Sequence, residues 1–277
     1  MPPAEHGLPP SPTRPTPEDR AIHADVSARL RKAGCVFAED EADLILAAAS
    51  SPAELDAMVA RRADGEPLEH VVGFAEFLGL RIAVEQGVFV PRRRTEALVR
   101  EAVALARPGA VAVDLCCGSG ALGAALAAAV PGLDVHAADV DPAAVRCARR
   151  NLPADHVHEG DLFDALPGSL RGRVDVLLAN VPYVPSGEIA LLPGEARDHE
   201  ARVALDGGAD GLDVLRRVAA DASGWLAPGG HLLSEAGERQ ADAALSAFAD
   251  AGLEARIATD EERNATVVIG RRAPHRH

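Results

Sequence analysis

The sequence predicts an α/β protein: a doubly wound, mostly parallel sheet of seven strands, preceded by a small N-terminal helical domain and a β-hairpin linker. Three observations predict it. From residue 110 onward, short apolar runs alternate with alanine-rich helical stretches, the pattern of parallel strands joined by crossover helices. The run Val111-Ala112-Val113-Asp114-Leu115 is almost continuously apolar, as a strand buried on both faces requires. The last two strands are separated only by residues 260–265. That is too short for a crossover, so they close the sheet as an antiparallel hairpin.

The elements follow in order. Residues 1–16 are proline-rich with almost no large apolar side chain, and are expected to be a disordered tail. Residues 17–68 read as a small helical domain for substrate recognition. Ile22, Val26 and Leu30 recur four apart, followed by Leu44, Ile45 and Ala48, then Leu55, Met58 and Val59, which marks three short helices. Ser51 is placed as an N-cap, with Pro52 at the first helical position and Glu54 three residues on. Residues 69–93 are the linker. Val71-Val72-Gly73-Phe74 and Leu80-Arg81-Ile82-Ala83-Val84 are read as two strands around Phe77-Leu78-Gly79.

Residues 94–277 form the large domain. Helices are expected over 95–106, after the Gly-rich turn near 118, and over 141–151, 212–222 and 238–251. Strands are expected over 111–115, 135–139, 156–159, 174–179, 231–234, 253–259 and 266–270. The stretch 184–211 is long for a connection inside a compact domain. Its place after Tyr183 predicts a substrate cover.

Composition excludes several classes. The 277-residue chain is 48% hydrophobic and 25% charged, with a net charge of −14. Generic nucleic-acid or anionic-membrane binding demands clustered positive charge. The longest apolar-plus-glycine run, residues 121–130, is about half a membrane span, and the N-terminus lacks the apolar core of a signal peptide. A cytoplasmic monomer without membrane attachment is expected. The four cysteines are too sparse for a disulfide scaffold, and neither they nor the ten histidines show metal-ligand spacing. No metal is expected.

The sharpest local signal is Asp114-Leu115-Cys116-Cys117-Gly118-Ser119-Gly120-Ala121-Leu122-Gly123, between a strand and a helix. Glycines there let a backbone approach a ligand closely, with helix N–H groups facing it. Asp139 ends the next strand, where an acid accepts hydrogen bonds from ribose hydroxyls. This pattern fits either a dinucleotide or S-adenosylmethionine. Asp114 tilts the choice to the latter, because a carboxylate repels a pyrophosphate but holds an α-ammonium. Asp161 and Leu162 sit where a third strand finishes, near an adenine.

The fourth strand runs into Asn180-Val181-Pro182-Tyr183, at the crevice end of this architecture. The chemistry it fits is methyl transfer to a planar nitrogen. Such a nitrogen is a poor nucleophile because its lone pair is delocalised. Asn180 Oδ1 and the Val181 carbonyl can accept its two hydrogens and turn the lone pair outward. Pro182 fixes that carbonyl, and Tyr183 packs on the planar face. The contribution is orientation and electrostatics, with no general base in evidence.

These residues resemble the HemK/PrmC family, protein glutamine methyltransferases acting on peptide-chain release factors. The resemblance runs from about residue 20 to 270. It rests on residues 69–74 and 89–99, the Asp114 to Gly123 loop, Asn180 to Tyr183, and residues 202–211. It implies a Rossmann-like class I methyltransferase fold, S-adenosylmethionine as donor with S-adenosylhomocysteine as product, and a release-factor glutamine amide as acceptor. It further implies that Asp114, Cys116, Gly118, Gly120, Asp139, Asp161, Leu162 and Asn180 hold the donor. Asn180, Val181, Pro182 and Tyr183 would hold the amide, and Phe74, Arg92, Thr95, Glu96 and Tyr183 would contact substrate. Three departures mark a diverged member. Val181 stands where the family has a proline and Cys116 where it has a glycine. Arg93-Arg94 replaces Pro-Glu. Adenine in nucleic acid, a small amide or amine, and a non-catalytic donor-binding protein are the other readings. The net charge of −14 opposes the first of these, since Arg92-Arg93-Arg94 is the only concentrated basic run. A nicotinamide-dependent oxidoreductase, suggested by the Gly loop alone, is opposed by Asp114 and by Asn180 to Tyr183.

Overall fold

A computed structural model of the chain describes residues 16–274. The expected tail over 1–16 lies almost wholly outside the described residues. The chain divides into two compact units between Val72 and Gly73.

The first unit is helical. Helices α1 (Pro17–Lys32), α2 (Ala38–Ala48), α3 (Pro52–Ala63) and α4 (Leu68–Val72) enclose a core of Val26, Leu30, Ile45, Met58, Val59 and Val71. Thr16 caps α1 in a reciprocal box with Asp19. Ser51 caps α3, accepting from the Glu54 N–H at 3.2 Å. The Glu54 carboxylate accepts from the Ser50 N–H rather than from that of Ser51. A buried ion pair, Arg62 Nε to Glu41 Oε2 at 2.6 Å, ties α3 to α2.

The hairpin differs from expectation at its start. Val71 and Val72 belong to α4, whose turn is closed by Val71 N–H donating to the Pro67 carbonyl. Gly73, at φ +81°, ends that helix. The strands are β1 (Phe74–Phe77) and β2 (Leu80–Ala83), antiparallel, and the hairpin lies in the second unit, so residues 69–93 are shared between the two. Asn151 clasps β2. Its Oδ1 accepts from the Ala83 N–H, and its Nδ2 donates to the carbonyls of Ala83 and Ser119.

After α5 (Glu96–Leu105) come β3 (Val111–Leu115), α6 (Ala121–Ala129), β4 (Asp134–Asp139), α7 (Pro142–Ala148), β5 (Val157–Glu159), β6 (Val174–Ala179), α8 (Gly194–His199), α9 (Asp213–Trp225), β7 (Leu226–Ala236), α10 (Ala241–Asp250), β8 (Glu254–Asp260) and β9 (Ala265–Arg271). The sheet runs β5-β4-β3-β6-β7-β9-β8. It is parallel through β7, and β9 pairs antiparallel with both neighbours. All five residues of β3 are buried, which explains their near-continuous apolarity. Two side-chain clusters flank the sheet, one built with α5 and α6 and the other with α9 and α10. The helix expected to reach Asn151 stops at Ala148, and β7 is longer than the expected 231–234.

The chain leaves β3 toward β4 on one side and later adds β6 on the other. That reversal opens a crevice beyond the strand ends. The loop after β3 and the segment after β6 both emerge there.

Candidate active site

The turn from β3 into α6 is shaped by two carboxylates. Asp139, closing β4, accepts from the Gly118 N–H through Oδ2 and from the Asp141 N–H through Oδ1, both at 2.9 Å. Asp114 Oδ2 accepts from the Gly123 N–H at 2.9 Å. Gly120 sits at φ +76° as the N-cap of α6. A Cβ there would lie 3.0 Å from Leu152 Cδ1 and 3.2 Å from Ala148 Cβ, so conformation and space both favour glycine.

A cavity lies over this turn. Its floor is Cys116, Gly118 and Asp139, and one wall is Asp161 and Leu162. The other wall is Asn180 to Tyr183, and Thr95 also lines it. Residues Val184, Ala201, Val203, Ala204 and Leu205 also line it. The long segment after Tyr183 thus lines the cavity at both its ends, with α8 between them. Its fastening is the buried Glu200, which accepts from the Val90 N–H at 3.1 Å and from Arg92 Nη2 at 2.6 Å. The Ala201 N–H donates to the Gly87 carbonyl beside it.

Several expected contact residues stand elsewhere. Asp114 is fully buried behind the turn and does not line the cavity. One of its oxygens holds α6, and Oδ1 has no partner. Burial pushes its carboxyl from 3.8 up to about 8, against the opposing Gly123 hydrogen bond. Gly120 is buried and acts through backbone shape. Arg92 is spent on Glu200. Glu96 faces Arg263 at 3.3 Å, and the Phe74 ring lies 3.5 Å beneath the Arg81 guanidinium. None of these three lines the cavity. Asp161 lines it while paired with Arg217 at 2.6 Å.

At the Asn180–Tyr183 corner, Asn180 Oδ1 is buried without a hydrogen-bond partner. A buried amide oxygen left open costs about 1–3 kcal/mol, so the arrangement is built to receive a donor. Val181 is buried and Pro182 follows it. The Tyr183 carbonyl accepts from Gln240 Nε2 at 2.9 Å. The Tyr183 hydroxyl accepts from Arg94, whose Nε contacts Glu235 Oε1 at 2.6 Å. Burial, and then the Glu235 charge, push the Tyr183 phenol up, so it is no base near neutral pH. Burial likewise pushes up the thiols of Cys116 and Cys117, which disfavours their thiolates.

The turn at 206–211 packs against this corner. Gly207 packs on the Pro182 carbonyl, and a Cβ there would lie 2.6 Å from that oxygen. Its N–H donates to the Val184 carbonyl. Sequence reasoning did not single out the roles of Arg94, Glu200, Glu235 and Gln240. They come from distant elements, and only the replacement at Arg94 left a trace.

The chain is similar to known methyltransferases. Residues 80–209 match the model of the methyltransferase small domain. The chain is 39% identical over 209 residues to a release factor glutamine methyltransferase of Geobacter sulfurreducens, covering 73% of this chain and 72% of that one. It is 41% identical over 191 residues to a 4-amino-L-phenylalanine/4-methylamino-L-phenylalanine methyltransferase of Streptomyces pristinaespiralis, covering 66% and 65%. A solved methyltransferase from Pyrococcus furiosus shares the fold, with TM-score 0.50 at 17% identity over 69% of this chain and 89% of that one.

Proposed function

We propose the following activity for this chain, which belongs to the release factor glutamine methyltransferase family: transfer of a methyl group from S-adenosylmethionine to the side-chain amide nitrogen of a glutamine in a peptide-chain release factor. The observation that carries the reading is the open, buried Oδ1 of Asn180 at the wall of the cavity.

The residues present fit the donor. Cys116, Gly118 and Asp139 form a floor of loop backbone and carboxylate, and Asp161 and Leu162 form a wall. When bound, S-adenosylmethionine supplies a sulfonium-activated methyl and departs as S-adenosylhomocysteine. Asn180 Oδ1 accepts one amide hydrogen of the substrate and the Val181 carbonyl accepts the other. The nitrogen lone pair is then freed from the amide plane and directed into the cavity. Tyr183 is held by Arg94 and Gln240 and presents its ring to the amide face. The segment over 184–205 shields the site during transfer, and the nitrogen's surplus proton passes to solvent after it.

A second reading has one observation behind it. The Streptomyces pristinaespiralis relative acts on an aryl amine, and Asn180 with Val181 can accept two hydrogens from such an amine as readily as from an amide. The fuller coverage of the glutamine methyltransferase relative favours the protein acceptor.

The test offers methyl-labelled donor with the organism's own release factors, 4-aminophenylalanine, DNA and RNA as competing acceptors, and maps the methyl by mass spectrometry. Label on a release-factor glutamine is expected. Label only on the amino acid or on nucleic acid overturns the choice of acceptor. Asn180→Ala is expected to lower turnover by about 10²–10³, with donor binding kept. Turnover within a few-fold of wild type refutes the role given to Asn180.

A further inference from the structure

Two arginines follow one another on α9 and do different things. Arg216 pairs with Asp210 at 2.5 Å and with Asp213 at 3.3 Å, at the start of its own helix. Arg217 reaches across the chain instead, and its Nη2 donates to Asp161 Oδ2 at 2.6 Å. Both Arg217 and Asp161 line the cavity, as does Val214, one turn before Arg217 on the same face of α9. The helix is anchored by Leu215, Val218 and Ala222, buried against the sheet.

Asp161 has a fixed backbone and a side chain with one tether. The Gly160 N–H donates to the Asp139 carbonyl at 3.0 Å, and a Cβ at Gly160 would lie 3.1 Å from Ala165 Cβ. Leu162, on the other side, sits at φ +50°. The loop is thereby pinned before and after Asp161. Its carboxyl is half exposed. Among the described residues Arg217 is its hydrogen-bond partner, and it takes Oδ2 alone. The arginine therefore decides which way the carboxylate plane faces and leaves Oδ1 open.

The surroundings suit a flat base with an N–H group on its rim. Cys116, Leu162 and Val214 line the cavity and pack on the α9 side of the sheet. Arg217 is close enough for its charge to act on the Cys116 thiol. We propose that Arg217 is a positioning residue for the base of the methyl donor: its bond to Asp161 Oδ2 turns the carboxylate so that Oδ1 accepts from the exocyclic amine of adenine. This rests on the donor reading given above.

Adenine carries that amine on its edge. Hypoxanthine carries a carbonyl oxygen in the same place, which a carboxylate repels. The arginine and the amine do not compete, because a carboxylate offers two oxygens and about four lone-pair sites. An acceptor already held in one orientation gives up less rotamer freedom on binding than a free one. The arginine thus favours the adenine base without touching it.

The test is calorimetric titration of the full chain with S-adenosylhomocysteine and with S-inosylhomocysteine, which differ at that edge. Wild type is expected to bind the adenosyl compound at least about tenfold tighter. Arg217→Gln should cut this preference about fivefold, by weakening the adenosyl compound. In an Asp161→Ala background the preference should already be small. Adding Arg217→Gln there should leave it unchanged, since the arginine acts through the carboxylate. Both side chains are more than half exposed, so the variants leave the core intact. Equal weakening of both compounds in Arg217→Gln would give the arginine another role and overturn the proposal. Tighter binding of the adenosyl compound in that variant would make Arg217 a competitor for Asp161 and overturn it equally. No binding of S-adenosylhomocysteine to wild type at about 100 µM would overturn the donor reading and this proposal with it.

Discussion

Asp114 offers a sharp test of the electrostatics beneath the cavity. It is a fully buried carboxyl whose Oδ2 holds the Gly123 N–H and whose Oδ1 has no partner. Desolvation pushes it from 3.8 in the unfolded chain to about 8 in the fold. The folded protein therefore holds a proton that the unfolded chain releases across that window. The stability this proton contributes is complete below about pH 4 and is lost as pH rises through 8. At ~1.4 kcal/mol per pH unit, the loss between pH 5 and pH 8 is on the order of 4 kcal/mol. Asp114→Asn cannot titrate and keeps an oxygen for the Gly123 N–H. Urea denaturation of the donor-free protein at pH 5, 6.5 and 8 should show wild type losing stability more steeply than the variant. Asp139, also raised by burial, is coupled to Asp114 through charge, so the difference in slope reports the pair. Parallel curves would refute the reasoning.

Two further perturbations probe the acceptor corner and its cover. Gly207→Ala places a Cβ 2.6 Å from the Pro182 carbonyl oxygen. It should displace the Asn180–Tyr183 segment and cost turnover by about tenfold or more, measured by steady-state methyl transfer; unchanged kinetics would show that the turn is not a backstop. Glu200→Ala leaves Arg92 and the Val90 N–H without their carboxylate. It should destabilise the fold by about 2–3 kcal/mol and weaken donor binding, read by urea denaturation and calorimetry.

Much of the fold was legible because local rules agreed with the tertiary outcome. Val111–Leu115 is a fully buried strand and its composition says so. Asp141 caps α7 through the Ala143 N–H, with Pro142 at the first turn. Failures came where local signals conflicted. Val71 and Val72 carry β-branched side chains that favour strand, but the turn opened by Pro67 and closed by Gly73 decides for helix. The site divides in the same way. Asn180 to Tyr183 and the Gly loop are contiguous and could be read along the chain. The groups that hold Tyr183 could not, because Arg94 precedes α5, Glu235 ends β7 and Gln240 precedes α10.

Backbone strain marks the same cavity independently of any motif. Four non-glycine residues among those described have positive φ. Leu78 and Asn264 turn the β1–β2 and β8–β9 hairpins, where a left-handed residue is an ordinary requirement. Cys116 at φ +55° and Leu162 at φ +50° turn no hairpin. Both line the cavity, on floor and wall. Each costs about 1–2 kcal/mol relative to relaxed backbone and persists only because its neighbours over-determine it. For Cys116 the determinants are visible. The Cys117 N–H is fixed to the Ala138 carbonyl and the Gly118 N–H to Asp139. The residue before them must accept the left-handed turn whether or not it is glycine.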